Sequence, residues 1–348
     1  MICGDHPSVA ILTPVYNGEK YLRETMQCVQ QSDYPNLVHV VLDNASTDGT
    51  AGIVESFRGG RVPLIVLRNP TTIPMAANFN AIALLAPEDA KYVRVLCADD
   101  LMAPTAISKM VPVAESDERI GAVGCLCRNI GLLGEELPRS KQVFDGKFLV
   151  RAYLRRETSV FSGTHFLYRR SVFRNGPPPY DDQMGASIDA DCAVRIALKG
   201  HVGFVHEVLA EFRHHSESHS AMVAEKGGAH FFEWLLLLDR YGPEAMTEAE
   251  YAKCRTLYRH YYLRRALLTA ARARDMDFLW LQRSRLAAIG DDAGPVDFAM
   301  ALAEWLYLAI TGQRHRVGKP KRMVLDKSPI PATAHFEAPI SRSSHSQA

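Results

Sequence analysis

The chain has 348 residues, 47% hydrophobic and 23% charged, enough to bury one large core or two modest ones. Its 40 Lys and Arg against 39 Asp and Glu leave no overall basic excess, so nucleic acid is not an expected partner. Residues 251–322 carry 14 Lys/Arg against 6 Asp/Glu, whereas the rest of the chain is net −7, so the positive charge is gathered late.

The first residues, MICGDHPSVAILTP, lack the charged start, apolar run and cleavage site of a secretory signal. Strand signals then begin at once: VAILT (9–13), LVHVVL (37–42), PLIVL (63–67) and YVRVL (92–96). Helical patterns, with apolar residues recurring at three and four, fill the gaps: GEKYLRETMQCVQQ, TDGTAGIVESF and IPMAANFNAIALLA. This alternation predicts parallel strands joined by helical crossovers, an open α/β sheet covered on both faces. From 101 to 220 the rhythm loosens into a helix near 103–116, strands at IGAVGCL and HFLYR, the loop NGPPPYDDQMGA, a helix DADCAVRIALKG and a strand VGFVHEV. Cys125 and Cys127, alternating in AVGCLC, read as same-face strand residues. Seven cysteines without metal-ligand spacing suit a reducing compartment, and a cytoplasmic protein is expected. Residues 229–311 read as helices; the longest apolar window, AMALAEWLYLAI, is too short and too polar to span ~30 Å of hydrocarbon. The Ser- and Pro-rich tail, 326–348, is expected to be disordered.

In such sheets ligands bind beyond the carboxyl ends of the strands, and polar residues stand there. The first strand runs into Thr13-Pro14-Val15-Tyr16-Asn17, the second into Asp43-Asn44 and the fourth into Asp99-Asp100. Tyr16 offers a stacking face to a nucleobase and Asp43 an acceptor for a ring N–H. Asp48, in Thr47-Asp48-Gly49, fits a helix opening. The pair Asp99-Asp100 has two readings: adjacent carboxylates compensated by a hard divalent cation, or acids favoured by the start of the following helix.

The ordered motifs PVYNGEKYL, VVLDNASTDGT, the Asn78-Phe79-Asn80 helix and YVRVLCADDLMAP resemble the family 2 glycosyltransferases of GT-A fold. Downstream, YDDQMGASIDADCAVRIALKG followed by VGFVHEVLAEFRHHSESHS resembles the acceptor side of that family, with Asp189 six residues before Arg195. The resemblance spans about residues 8–220. It implies a GT-A type open, mostly parallel sheet flanked by helices, with a nucleotide-binding half (1–100), an acceptor half (101–220) and a helical C-terminal region (221–325). It also implies an inverting transfer of a sugar from a nucleotide-diphosphate donor, UDP-sugar favoured, to the hydroxyl of a saccharide or lipid-linked saccharide, in polysaccharide or glycolipid synthesis. Thr13, Pro14, Tyr16, Asn17, Glu19, Asp43, Asn78 and Asp99 would hold the nucleotide. Asp100, with His215 beside it, would hold Mn²⁺ or Mg²⁺. Asp189 would be the general base; Asp191 competes for that role, and Asp181-Asp182 lie on the preceding loop. Gly163-Thr164 and the NGPPPY loop would line the acceptor cleft.

Two departures matter. Cys97 stands where the family often has Asp, and the closing motif reads Phe212-Arg213-His214-His215 instead of Tyr-Arg-x-His. A catalytically silent nucleotide-sugar binding or scaffold protein therefore stays open. A nucleotidyltransferase would show a Gly-rich basic loop where this chain has TPVYNGE, and no G-x-G-x-x-G follows any strand. The late basic segment, WLYLAITGQRHRVGKPKR, reads as a solvated helical cap or as a face for peripheral membrane contact.

Overall fold

The computed structural model describes residues 6–128, 131–174, 176–215, 218 and 229–312. The expected tail 326–348 and the basic run 314–322 lie outside these described residues. The first half alternates as the pattern predicts: β1 (Val9–Val15), α1 (Leu22–Gln30), β2 (Leu37–Asp43), α2 (Thr50–Glu55), β3 (Leu64–Arg68), α3 (Met75–Leu84) and β4 (Tyr92–Val95). β1 pairs parallel with β2 and β4, and β2 pairs parallel with β3. Every residue of β1 is buried, as a central parallel strand requires. Its side chains alternate between two cores, Ala10 and Leu12 on one face, Val9 and Ile11 on the other. In α1 the buried residues Leu22, Thr25, Met26, Cys28 and Val29 recur at three and four, which turns one stripe of the helix to the sheet.

The second half holds β5 (Leu101–Met102), α4 (Ala106–Glu115), β6 (Ile120–Arg128), β7 (Leu132–Leu133), β8 (Val143–Asp145), α5 (Gly146–Leu154), β9 (Leu167–Arg169), α6 (Ser171–Arg174), a 3₁₀ turn at Asp182–Ser187, α7 (Ile188–Ala197) and β10 (His201–Glu211). One ten-stranded mixed sheet results, ordered β3-β2-β1-β4-β9-β6-β10-β5, with β7 beside β6 and β8 beside β10. β6 and β10 are parallel; β9 runs antiparallel to both its neighbours and joins the two halves. Cys125 and Cys127 face the same core, as expected of alternate strand residues. Helix α5 escaped the sequence reading although Leu149, Val150, Tyr153 and Leu154 recur at three and four behind an Asp145 cap, a signal the sequence does carry. It lies so close to the end of α7 that a Cβ on Gly146 would fall 1.8 Å from the Ala197 carbonyl oxygen.

Four further helices follow: α8 (Ala229–Ala245), α9 (Glu248–Ala273), α10 (Met276–Ala288) and α11 (Pro295–Ile310). A capping box of Thr247 and Glu250 opens α9. Leu237, Leu238 and Tyr241 of α8 enter the core of the sheet domain, while Leu235 joins Tyr262, Leu263 and Leu286 in a separate helical core. α8 thus belongs to both. Among the described residues no helix is long and apolar enough to cross a membrane.

Candidate active site

The loops after β1 and β2 brace each other. Asn17 (φ 49°) and Ala45 (φ 61°) adopt left-handed backbone, which costs an alanine roughly 1–2 kcal/mol and persists only where the surroundings hold it. The holding contacts are reciprocal. The Asn17 N–H donates to Ser46 Oγ (2.9 Å), and the Thr47 N–H returns to Asn17 Oδ1 (2.9 Å). The Glu19 N–H donates to Asp48 Oδ2 and the Gly49 N–H to Glu19 Oε2, both at 3.0 Å. Asp48 also accepts from the Thr50 N–H (3.0 Å), consistent with a helix-opening role. Desolvation works against its charge, but these hydrogen bonds hold the Asp48 carboxyl below the usual carboxylate range.

Behind this brace, Asp43 ends β2 in a buried position and accepts from the Ser46 N–H (2.8 Å) and from Arg68. A carboxylate has about four acceptor sites, so capacity remains for a ring N–H. Thr13 points into the core, with Oγ1 2.9 Å from His39 Nε2. Burial pushes His39 down to about 3, so its imidazole stays neutral.

Helix α3 serves two neighbours. Asn69 Nδ2 donates both to Asn78 Oδ1 (2.9 Å) and to Asn44 Oδ1 (2.8 Å), tying α3 to the end of β2. Asn80 clamps the backbone of Tyr180 in the Pro-rich loop, donating to its carbonyl (2.7 Å) and accepting its N–H (2.9 Å). Phe79 packs edge-on against the Tyr180 ring.

At the end of β4, ligand atoms of Cys97, Asp99 and Asp100 lie within 4.8 Å of one another. Asp100 is buried, accepting from Thr164 Oγ1 (3.2 Å) and the Arg213 N–H (3.2 Å). Its burial, then the adjacent Asp99 charge, push the Asp100 carboxyl well above the carboxylate range. The Cys97 thiol is driven up by burial and by the same acids. It is a soft, neutral sulfur beside two hard oxygen donors, so the acids are the pair suited to Mg²⁺ or Mn²⁺. His215 Nε2 lies 3.0 Å from Asp99 Oδ2, and its ring stacks on Tyr21 at 4.2 Å. Arg213, which sequence reasoning quoted but gave no task, donates to the Asp99 carbonyl, to Glu24, and to the Tyr21 carbonyl (3.1 Å). It locks the acidic pair to α1.

The first turn of α7 separates two candidate acids, of which the spacing to Arg195 favours Asp189. Asp191 is buried and accepts from Tyr241 Oη (2.7 Å) and Arg240 (3.0 Å), both from α8. Asp181 pairs with the same Arg240 (2.8 Å). Asp189 instead faces the cleft, its Oδ1 buried without a hydrogen-bond partner, and desolvation raises its carboxyl to about 7. Arg195 does not neutralise it; the guanidinium turns to the carbonyls of Pro178 (3.4 Å) and Pro179 (2.5 Å).

These ends enclose a cleft of about 420 Å³. Pro14, Tyr16, Asn17, Asn78, Asp99, Asp189 and His215 all line it, as does Thr164. Tyr16 is 53% exposed there, an open aromatic face. Thr13, Glu19, Asp43 and Asp100 are not part of its wall; Asp100 lies just behind Thr164 and Asp99. Asn44 and Phe212 are lining residues that sequence reasoning did not name as site residues.

Residues 10–176 match the family model "Glycosyl transferase family 2". Putative glycosyltransferase EpsE of Bacillus subtilis is 31% identical over 121 residues, 34% of this chain and 42% of that one. Putative teichuronic acid biosynthesis glycosyltransferase TuaG of the same organism is 28% identical over 96 residues, 27% of this chain and 36% of that one. The chain thus spans less than half the length of these curated relatives. The mannosyltransferase PcManGT of Pyrobaculum calidifontis, solved with GDP-Man and Mn²⁺, superposes with a TM-score of 0.56 at 19% identity, covering 92% of this chain and 85% of that one, a likeness of fold. By its motifs and this match, residues 10–176 form a glycosyl transferase family 2 domain.

Proposed function

We propose that the protein transfers a sugar, with inversion, from a nucleoside-diphosphate donor (UDP-sugar favoured) to an acceptor hydroxyl, with Asp189 as general base. The observation that carries this reading is the half-buried Asp189, its Oδ1 without a hydrogen-bond partner and its carboxyl raised to about 7, in the same cleft as Tyr16, Asn78 and Asp99. The acceptor oxygen attacks the anomeric carbon as its proton passes to Asp189; the bond from that carbon to the phosphate oxygen breaks, and its electron pair leaves with the nucleoside diphosphate. Tyr16 stacks on the base, Asn17 and Asn78 hold the donor between the two strand ends, and Asp43, behind the wall next to the lining Asn44, keeps acceptor capacity for a ring N–H. Asp100 and Asp99, with His215 beside them, would hold Mg²⁺ or Mn²⁺, which supplies charge neutralisation for the leaving diphosphate. Asn80 and Arg195 hold the Pro178–Tyr180 segment, which lies behind the cleft wall formed by Ala186, Ile188 and Asp189.

A saccharide acceptor of a surface polysaccharide accords with a relative named for teichuronic acid biosynthesis. Screening nucleotide sugars by thermal shift, then by donor hydrolysis with Mn²⁺, tests the proposal. One donor is expected to stabilise the protein and to be turned over. Stabilisation without turnover on any acceptor would favour the silent binding protein, and no shift for any donor would sink both readings.

A lipid-linked acceptor and peripheral membrane contact are supported by α11. Its inward face spends its acids on Arg259–Asp297 and His260–Glu304 pairs, each at 2.8 Å. Its outward face is apolar, with Val296 72%, Met300 55%, Tyr307 63% and Ile310 85% exposed. Five cations follow between Arg314 and Arg322 in the sequence. Sedimentation with anionic vesicles at low salt should retain the protein, and Val296→Glu/Ile310→Glu should release it; equal recovery with neutral vesicles would refute the electrostatic part.

A further inference from the structure

The residues flanking Asp189 are gripped from both sides by one helix that lies outside the matched domain. On the carboxyl side, Arg240 and Tyr241 of α8 hold Asp191. On the amino side, Glu233 of the same helix is buried at 4% exposure and reaches the turn that opens α7. Its Oε1 accepts the Ala186 N–H at 2.9 Å and its Oε2 accepts the Ser187 hydroxyl at 2.7 Å. Gly185, one residue earlier, has φ 56° and ψ −121°, a backbone that side chains avoid. A Cβ there would stand 2.3 Å from Glu233 Oε1, so the carboxylate occupies the space a side chain at 185 would need. The turn is shaped around this one acid. Beyond it the Asp189 Oδ1 has no partner of its own, so its direction depends on the backbone that carries it.

We propose that Glu233 is a positioning residue: through the Ala186 N–H and the Ser187 hydroxyl it sets the start of α7 so that the Asp189 carboxylate faces the acceptor side of the cleft. This rests on Asp189 being the base. It makes α8 part of the catalytic unit through its polar residues Glu233, Arg240 and Tyr241, which hold the acid-bearing turn, and not through its apolar packing. A misplacement on the order of 1 Å of a reacting group costs about 10²-fold in rate, and Glu233→Ala removes both anchors at once.

The experiment compares full-length Glu233→Ala, Glu233→Gln, Leu237→Ala and Asp189→Asn. Donor hydrolysis by Glu233→Ala is expected to lose about 10²-fold in kcat, with the KM for donor and the thermal shift by donor close to wild type. Glu233→Gln should recover most of that loss, since its amide oxygen can accept the Ala186 N–H and its NH₂ can donate to Ser187 Oγ. Leu237→Ala, which opens the packing of the same helix without touching the turn, should lower Tm and leave kcat nearly unchanged at a temperature where it is folded. Equal kcat losses in Leu237→Ala and Glu233→Ala at matched Tm would reduce Glu233 to a structural role and overturn the proposal. So would wild-type kcat in Glu233→Ala while Asp189→Asn is inactive. Full activity in Asp189→Asn would show instead that the base assignment, and with it this inference, had failed.

Discussion

Replacing Asp189 by Asn should lower donor turnover by about 10²–10⁴-fold, the span a positioned general base contributes, while leaving nucleotide-sugar binding near wild type. The substitution is nearly isosteric, and Oδ1 has no hydrogen bond to lose. In the wild type, kcat/KM should rise about tenfold per pH unit below 7 and level off above it, because desolvation lifts the Asp189 carboxyl to about 7 and only the carboxylate accepts the acceptor's proton. The Asn variant should lack that limb. Stability should move the opposite way. The folded pKa lies above the unfolded value near 3.9, so the native state binds more protons between roughly pH 4 and pH 7, and stability falls as pH rises through that window. Asp189→Asn should therefore gain Tm over wild type at pH 8 and show little gain at pH 4. A variant that hydrolyses donor at the wild-type rate, with its acidic limb intact, would remove Asp189 from the chemistry.

That a carboxylate at this position is kept unpaired could not be read from its spacing. Asp189 and Asp191 sit two apart in one helix turn, and the six-residue interval to Arg195 favours Asp189 without showing that the guanidinium turns away, to the carbonyls of Pro178 and Pro179. What distinguishes the two acids comes from Arg240 and Tyr241, some fifty residues downstream, a distance over which a single sequence carries no register. The strand ends were legible for the opposite reason. Buried parallel strands are apolar runs, and a polar residue at the carboxyl end of such a run interrupts a clear pattern, so Asp43, Asp99 and Asp100 announced themselves. Glu19 read as a nucleotide-binding residue and Asp48 as a helix opening; their reciprocal bonds, which turn Glu19 to the Gly49 N–H and away from the cleft wall, depend on how two loops meet. Likewise, the NFN segment showed a helix with two amides, and only the fold divides them between the strand end and the Tyr180 loop.

The second large effect belongs to the acidic pair. Asp100→Asn should abolish the Mn²⁺-dependent part of thermal stabilisation by the donor, and turnover with it, while the protein without metal becomes as stable as wild type or more so. The amide keeps an acceptor for Thr164 or the Arg213 N–H, so the local frame survives. It removes a charge that burial and Asp99 both penalise. Wild type should show the reverse pattern: chelation with EDTA lowers the donor's stabilisation, and Mn²⁺ restores it. A ligand at a hundredfold excess over its Kd stabilises by about 2.7 kcal/mol, so loss of tight donor binding is readable as a shift of several degrees. Asp99→Asn should weaken the effect less, because one oxygen of that carboxylate already faces His215 Nε2 at 3.0 Å. Cys97→Asp supplies the internal control. If two carboxylates suffice for the metal, adding a third in place of the thiol should tighten Mn²⁺ dependence without being required for turnover. If instead the wild type is indifferent to EDTA and Asp100→Asn keeps full activity, the pair serves only to hold Arg213 and the turn after β4, and donor charge must be met by other groups, such as Lys20 of the cleft wall.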